Sequence, residues 1–117
     1  MQLSIHAPSI LIYTRPVDFR KSIDGLVDIV LSSLSVDSHE NIFIFHNRAR
    51  DRVKVLAWHK NGFVLLLKRL EKGRFTIAQG GGSEVVNVTP QALSWLLAGL
   101  DWVTMSAWGE LEYQDFH

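Results

Sequence analysis

Apolar residues change their spacing several times along this chain, and each change marks a predicted element. Ile10 to Tyr13 is a short apolar run, broken by Pro16, which reads as a strand. From Phe19 onward, Ile23, Leu26, Val27, Val30, Leu31 and Leu34 recur at three- and four-residue spacing. That period predicts a helix over Phe19–Leu34 with one broad apolar stripe. Asp18 is its expected N-cap, and Asp24 and Asp28 fall on the far side. Ser35 to Asn41 is polar and reads as a loop.

Strand formers dominate the middle of the chain. Ile42 to Phe45, Arg52 to His59 and Phe63 to Arg69 are separated by the polar stretch Asn47–Asp51 and by Asn61-Gly62. They predict a three-stranded antiparallel meander. Glu84 to Val88 reads as a further strand, and Thr89-Pro90 opens a second helix with a hydroxyl cap and proline at its first position. Leu93, Trp95, Leu96, Leu97 and Leu100 supply its apolar positions, and Gly99 or the Asp101-Trp102 step ends it. The fold class that follows is α+β. A small antiparallel sheet, the three-stranded meander plus one or two further strands, packs with two main helices. Residues 1–117 form one domain, with a core of about 10–102 and a loosely held acidic-aromatic tail over 103–117.

The second turn also predicts a register. Both central residues of a type I′ turn need positive φ, which Asn and Gly tolerate best. With Asn61 and Gly62 at the centre, Lys60 faces Phe63, Trp58 faces Leu65, Leu56 faces Leu67, Lys54 faces Arg69 and Arg52 faces Glu71. Arg52, Lys54, Arg69 and Glu71 then share one face, and Val53, Val55, Ala57, Val64 and Leu66 the other. Lys54 directly opposite Arg69 is repulsive unless Glu71, Asp51 or an external anion neutralises the pair.

Charge sharpens this region. The formal net charge is zero, yet nine of the twelve Lys and Arg residues lie between His46 and Arg74, against only Asp51 and Glu71. Clustered cations of this kind are a footprint for a polyanion. The candidate phosphate-binding residues are Arg48, Arg50, Arg52, Lys54, Lys68, Arg69, Lys72 and Arg74. The bland alternative is a solvated face that protects an edge strand from aggregation. Arginine content favours the functional reading, because the guanidinium fork bridges phosphate oxygens. Trp58 and Phe63 flank the second turn and serve either as stacking platforms for bases or as core. Trp108, Tyr113 and Phe116 in the tail read as a protein contact.

Other chemistry is thin. The chain has no cysteine, which excludes disulfides, thiolate metal sites and thiol catalysis. The five histidines show no metal-ligand spacing, and Asp18, Asp24 and Asp28 suit a cap and a solvated face better than a two-metal carboxylate set. No catalytic residue, cofactor or metal is expected. The longest apolar run, Phe63 to Leu67, is far short of the ~20 residues of a membrane helix. The N-terminus lacks a basic n-region. A cytoplasmic protein without a membrane partner is expected.

Several ordered motifs resemble one family. They are Asp18-Phe19-Arg20-Lys21-Ser22-Ile23-Asp24-Gly25-Leu26, the run from Phe45 through Asn47-Arg48-Ala49-Arg50-Asp51-Arg52 to Leu56, Asn61-Gly62-Phe63, Lys68 to Phe75, and Leu93 to Asp101. Together they look like the TnpB (Orf2-like) accessory proteins of the IS66 group of bacterial insertion sequences, which are distinct from the RNA-guided nuclease of the same name. The resemblance covers roughly residues 10–102. Ser22 stands where the family usually has Gly, His59 where Asp is usual, and Gly80-Gly81-Gly82 replaces a Trp/Pro-containing stretch. The resemblance implies a role in transposition beside a separate transposase, with no settled chemistry. The expectation is a non-enzymatic accessory protein that binds DNA through the central basic hairpin. The alternative is a protein-interaction module that docks on the transposase, or on another element-encoded protein, without touching DNA. The polarised charge also permits a homo-oligomer.

Overall fold

The computed structural model describes residues 9–34, 37–78 and 81–107. In chain order the elements are β1 (Ser9–Tyr13), α1 (Ile23–Ile29, continued by a π-helical stretch Val30–Leu34), β2 (Asn41–His46), β3 (Arg52–His59), β4 (Gly62–Arg69), β5 (Val85–Val88) and α2 (Pro90–Leu97). Residues 102–107 are also helical. One five-stranded sheet has the order β4-β3-β2-β1-β5. The architecture is α+β, and the predicted meander is β2-β3-β4.

One pairing departs from an all-antiparallel sheet. β1 and β2 run parallel, Ile10 opposite Ile42 and Ile12 opposite Ile44. The chain leaves β1, crosses through α1 and re-enters alongside it in the same direction, as a strand–helix–strand unit must. β5 then closes antiparallel on the other side of β1.

Each face of the sheet buries an apolar layer. Ile10, Ile12, Ile44 and Val53 pack against Ala92 and Leu96 of α2 and against Phe75, Ile77 and Trp102. Tyr13, Phe43, Phe45 and Leu56 pack against Leu26 and Val30. Alternation along a strand explains why Phe43, Ile44 and Phe45 are all buried: the two faces are both covered. No helix among the described residues is long and apolar enough to cross a membrane.

The helix boundaries separate what local chemistry fixes from what it does not. Thr89 caps α2 as expected, its Oγ1 accepting from the Ala92 N–H at 3.0 Å, and Gly99 at φ 79° ends the turn that follows. Trp102 is buried and donates its indole N–H to the Thr76 carbonyl at 2.8 Å. Asp18 is not the cap of α1, which begins four residues later than predicted, with Ser22 at the cap position. The Asp18 carboxylate instead accepts from the Arg20 N–H at 2.9 Å and holds the Arg20 guanidinium at 2.6 Å, folding residues 18–21 into a tight turn. That turn lays Phe19 over the sheet instead of into the helix.

The hairpin register also differs. His59 pairs with Gly62, Trp58 with Phe63, Leu56 with Leu65, Lys54 with Leu67 and Arg52 with Arg69. Lys60 and Asn61 are therefore the central residues, and Lys60 has φ 56°. The pairing moves by two residues, so every side chain keeps its predicted face. An aromatic cluster holds this register: Trp58 meets Phe63 edge-on at 4.9 Å, and the His39 ring stacks on Trp58 at 3.9 Å. The preference of Gly62 for the turn is the weaker force.

A Cβ on Gly62 meets nothing within 4 Å. Gly62→Ala is therefore expected to leave the melting temperature nearly unchanged. Lys60→Gly relieves a left-handed lysine and is expected to stabilise by about 0.5–1 kcal/mol. Thermal denaturation reads both, and the reverse ranking would restore Asn61-Gly62 as the turn centre.

Candidate nucleic-acid interface

The polar stretch between β2 and β3 is organised by Asn47. Its Oδ1 accepts from the backbone N–H groups of Asp51 and Arg52, both at 3.1 Å, and its Nδ2 donates to Asp51 Oδ1 at 2.6 Å. Arg50 N–H closes back on the Asn47 carbonyl at 3.1 Å. These bonds satisfy the turn internally and leave Arg48 and Arg50 projecting, both exposed. The hydrogen bond from Asn47, ahead of the nearby Arg52 and Arg69 charges, holds the Asp51 carboxyl below its usual range. Asp51 thus serves the turn's scaffold.

The chain beyond β4 is tied to the same turn. Leu70 N–H donates to the Asp51 carbonyl at 2.8 Å and Phe75 N–H to the Arg50 carbonyl at 2.6 Å, with Phe75 anchored in the core. Gly73 supplies the positive φ of 80° that lets residues 70–75 fold back. Lys72 and Arg74, both exposed, are carried to the end of the sheet where Arg48 and Arg50 already stand. Arg52 and Arg69, paired across β3 and β4, lie at that same end. Lys68 is exposed on the opposite face of β4.

Arg69 is partnered by Glu71, Nε to Oε2 at 3.0 Å. Both are largely exposed, so the pair contributes under ~1 kcal/mol and competes weakly with an incoming phosphate. Arg52, Arg69 and Glu71 border a shallow depression of about 390 Å³ whose remaining walls are Phe19, Lys54 and Leu67. The like-charge pair faced across the strands is Arg52 and Arg69, not the predicted Lys54 and Arg69.

Lys54 is the one candidate that the structure withdraws from the surface. It is buried, and its ammonium donates to the carbonyls of Phe19 at 2.9 Å and Lys21 at 2.7 Å. The ammonium also sits 4.8 Å from the centre of the Phe19 ring. Its donors are spent on fastening the turn before α1 to the sheet. The sequence held no sign of this, because the partners lie more than thirty residues away. The other seven candidates, Arg48, Arg50, Arg52, Lys68, Arg69, Lys72 and Arg74, are exposed.

Trp58 has one ring face taken by His39 and an edge contact with Phe63. That arrangement favours the packing role over a base-stacking platform. The tail aromatics Trp108, Tyr113 and Phe116 lie outside the described residues. Among the described residues, no group of three or more His, Asp or Glu side chains is placed to hold a metal ion.

His46, at the end of β2, is buried beside the turn. Its Nδ1 lies 3.1 Å from the Asn47 carbonyl and its Nε2 3.3 Å from the Thr14 carbonyl. A neutral ring donates to one of them. Burial pushes the imidazole below its usual 6.5, and Arg50 adds to the lowering, against the two carbonyls. The unfolded chain therefore takes up this proton at higher pH than the folded protein does. The stability so gained is full above pH 6.5 and is lost as pH falls below it, towards the depressed value. Wild-type melting temperature is expected to drop between about pH 7 and pH 5, and His46→Gln to flatten that drop. A wild-type protein that becomes more stable over this range contradicts the assignment.

Comparison with known proteins identifies the family. The profile of the IS66 Orf2-like protein family matches residues 8–107. Uncharacterized protein y4jC of Sinorhizobium fredii (strain NBRC 101917 / NGR234) is 38% identical over 94 residues, 80% of each chain. Uncharacterized protein y4hO of the same strain is 37% identical over 62 residues, 53% of each chain. No solved structure matches. The matched segment runs from β1 through the helical residues after α2, and so takes in the whole described sheet. The chain belongs to the IS66 Orf2-like family, and its role is that of a transposition-associated accessory protein.

Proposed function

We propose that this protein acts without catalysis, binding DNA through phosphate contacts in the bacterial cytoplasm beside a separate transposase. One observation carries the reading. Arg48, Arg50, Arg52, Arg69, Lys72 and Arg74 gather at one end of the sheet, on turns whose backbones are fixed by internal hydrogen bonds. A fixed array of guanidinium groups binds polyanions with little ordering cost. Phosphate contacts position a protein without reading bases, so sequence preference is weak. The two acids within the cluster are occupied, Asp51 by Asn47 and Glu71 by Arg69, which supports a binding role over general-base chemistry.

A salt titration of the isolated protein on duplex DNA tests this. If about five of the cations engage phosphates, log affinity falls against log salt with a slope of about −4 to −5. A flat response between about 50 and 300 mM salt removes the reading.

A second reading has its own support. β4 is an edge strand, and Val64, Leu66 and Leu67 on it are 41%, 60% and 60% exposed. Apolar exposure on a sheet edge invites a protein partner. On this reading the module docks on the transposase. Co-purification of the two proteins, lost in Leu66→Lys, tests it; retention in that variant excludes the β4 edge.

A further inference from the structure

The parallel pairing of β1 and β2 sends both carboxyl ends to the same end of the sheet, at Tyr13 and His46. Outside those ends lies a cleft of about 320 Å³. That is close to the lower limit, roughly 300 Å³, for clefts that take a small molecule. The position is also the customary one for ligands in sheets with parallel strands.

The cleft is built from fixed parts. His46 lines it, held between Thr14 and Asn47. Thr14 N–H donates to the Glu84 carbonyl at 2.9 Å, and Thr14 Oγ1 lies 3.0 Å from the Ser83 carbonyl. These bonds pin the Gly81–Glu84 segment beside the end of β1. Gly81 and Gly82, at φ 58° and 97°, present backbone without side chains.

Two arginines line this space, Arg15 and Arg50. Arg15 is loosely paired with Glu84 at 3.5 Å, and the two side chains are 68% and 37% exposed, so water screens the pair. Among the described residues no carboxylate lies within 4.0 Å of the Arg50 guanidinium. Arg50 also has φ 60°, a left-handed backbone that costs a non-glycine residue about 1 kcal/mol. Strain of this kind collects where a side chain is put to use.

We propose that the cleft binds a phosphomonoester: the terminal phosphate of a nucleic-acid strand, or that of a free nucleotide. Arg50 and Arg15 hold its oxygens, and a cleft of about 320 Å³ is of the size that takes a small molecule. The inference deepens the DNA-binding reading, since Arg50 belongs to both sites. Internal phosphates run along Arg48, Arg50 and Arg52, and a strand end, where one is present, enters beside Arg50.

The test is an amide-resolved NMR titration, first with inorganic phosphate and with adenosine monophosphate. Shifts that saturate in the millimolar range are expected at Thr14, Arg15 and Gly81 to Ser83. Arg50→Gly, which suits the backbone of the turn, and Arg15→Gln are each expected to abolish them. Glu84→Gln, which frees Arg15, is expected to strengthen binding. Oligonucleotides with a 5′-phosphate are then compared with their 5′-hydroxyl counterparts. A preference of about tenfold for the phosphate is expected, lost in Arg50→Gly. Arg52→Ala is expected to lower both affinities alike. If neither oligonucleotide binds while free phosphate still moves the cleft amides, the DNA reading fails and the cleft is a nucleotide site. No shift at those amides, or shifts unchanged in Arg50→Gly and Arg15→Gln, overturns the proposal.

Discussion

Replacing Arg48, Arg50 and Arg52 together by alanine is expected to cut DNA affinity about 3,000-fold at about 50 mM salt, and only about 25-fold at 300 mM. Each phosphate contact contributes about −0.9 to the slope of log affinity against log salt, so three lost contacts flatten it by about 2.7. A slope near −4.5 becomes one near −2. The loss is electrostatic and so shrinks as salt rises, which separates it from a folding defect. The three side chains are exposed and carry no backbone bond of the turn, whose hydrogen bonds come from Asn47 and from main-chain groups. The melting curve is therefore expected to stay in place. A triple variant that binds with an unchanged slope places the phosphate contacts elsewhere.

Lys54 is expected to behave in the opposite way. Lys54→Met keeps the aliphatic stem and removes the ammonium, leaving the Phe19 and Lys21 carbonyls without their donor. A hydrogen bond from a charged donor contributes about 1.5–3 kcal/mol, and because Phe19 is half-buried and Lys21 exposed, water takes up part of what the two carbonyls lose. Destabilisation of about 1.5–3 kcal/mol follows, large beside a total of roughly 5–15 kcal/mol for a typical domain. The salt slope of whatever protein remains folded is expected to match wild type, because no phosphate contact was removed. A Lys54→Met protein that melts normally but loses about one unit of slope returns Lys54 to the phosphate surface. Arg52 and Lys54 share a strand and a face, so the pair of experiments divides one charge cluster into a binding part and a folding part.

Much of the fold was legible because its signals are local. The three- and four-residue apolar spacing of α1, the strand formers of β2 to β4 and the Thr89-Pro90 start of α2 each depend on a few neighbouring residues. The faces of β3 and β4 were also legible, since alternation survived a two-residue change of register. The register itself was not. Asn61-Gly62 is a strong turn signal, but Trp58, Phe63 and His39 from a distant loop together outweigh it. The start of α1 was misplaced because Asp18 spends its carboxylate on Arg20 within the preceding turn, a local competition between two uses of one side chain.

The candidate site divides in the same manner. Composition alone located the cations, and alternation placed Arg52 and Arg69 together. The folding back of residues 70–75 onto the β2–β3 turn, which brings Lys72 and Arg74 beside Arg50, depends on the Leu70 and Phe75 backbone bonds. Arg15 belongs to no charge cluster in the sequence. It joins Arg50 at one cleft only because β1 and β2 lie side by side and parallel.

By itself, then, the sequence determined which segments become helices and strands, which residues share a strand face, and where positive charge is concentrated. These follow from periodicity, capping and residue type, all of which act over a few positions. Only the tertiary structure decided that β1 runs parallel to β2, that Lys54 is a fastener for the turn before α1, and that Arg15 and Arg50 meet. Each of these depends on contacts between residues thirty or more positions apart, where no local preference of the chain can specify a partner.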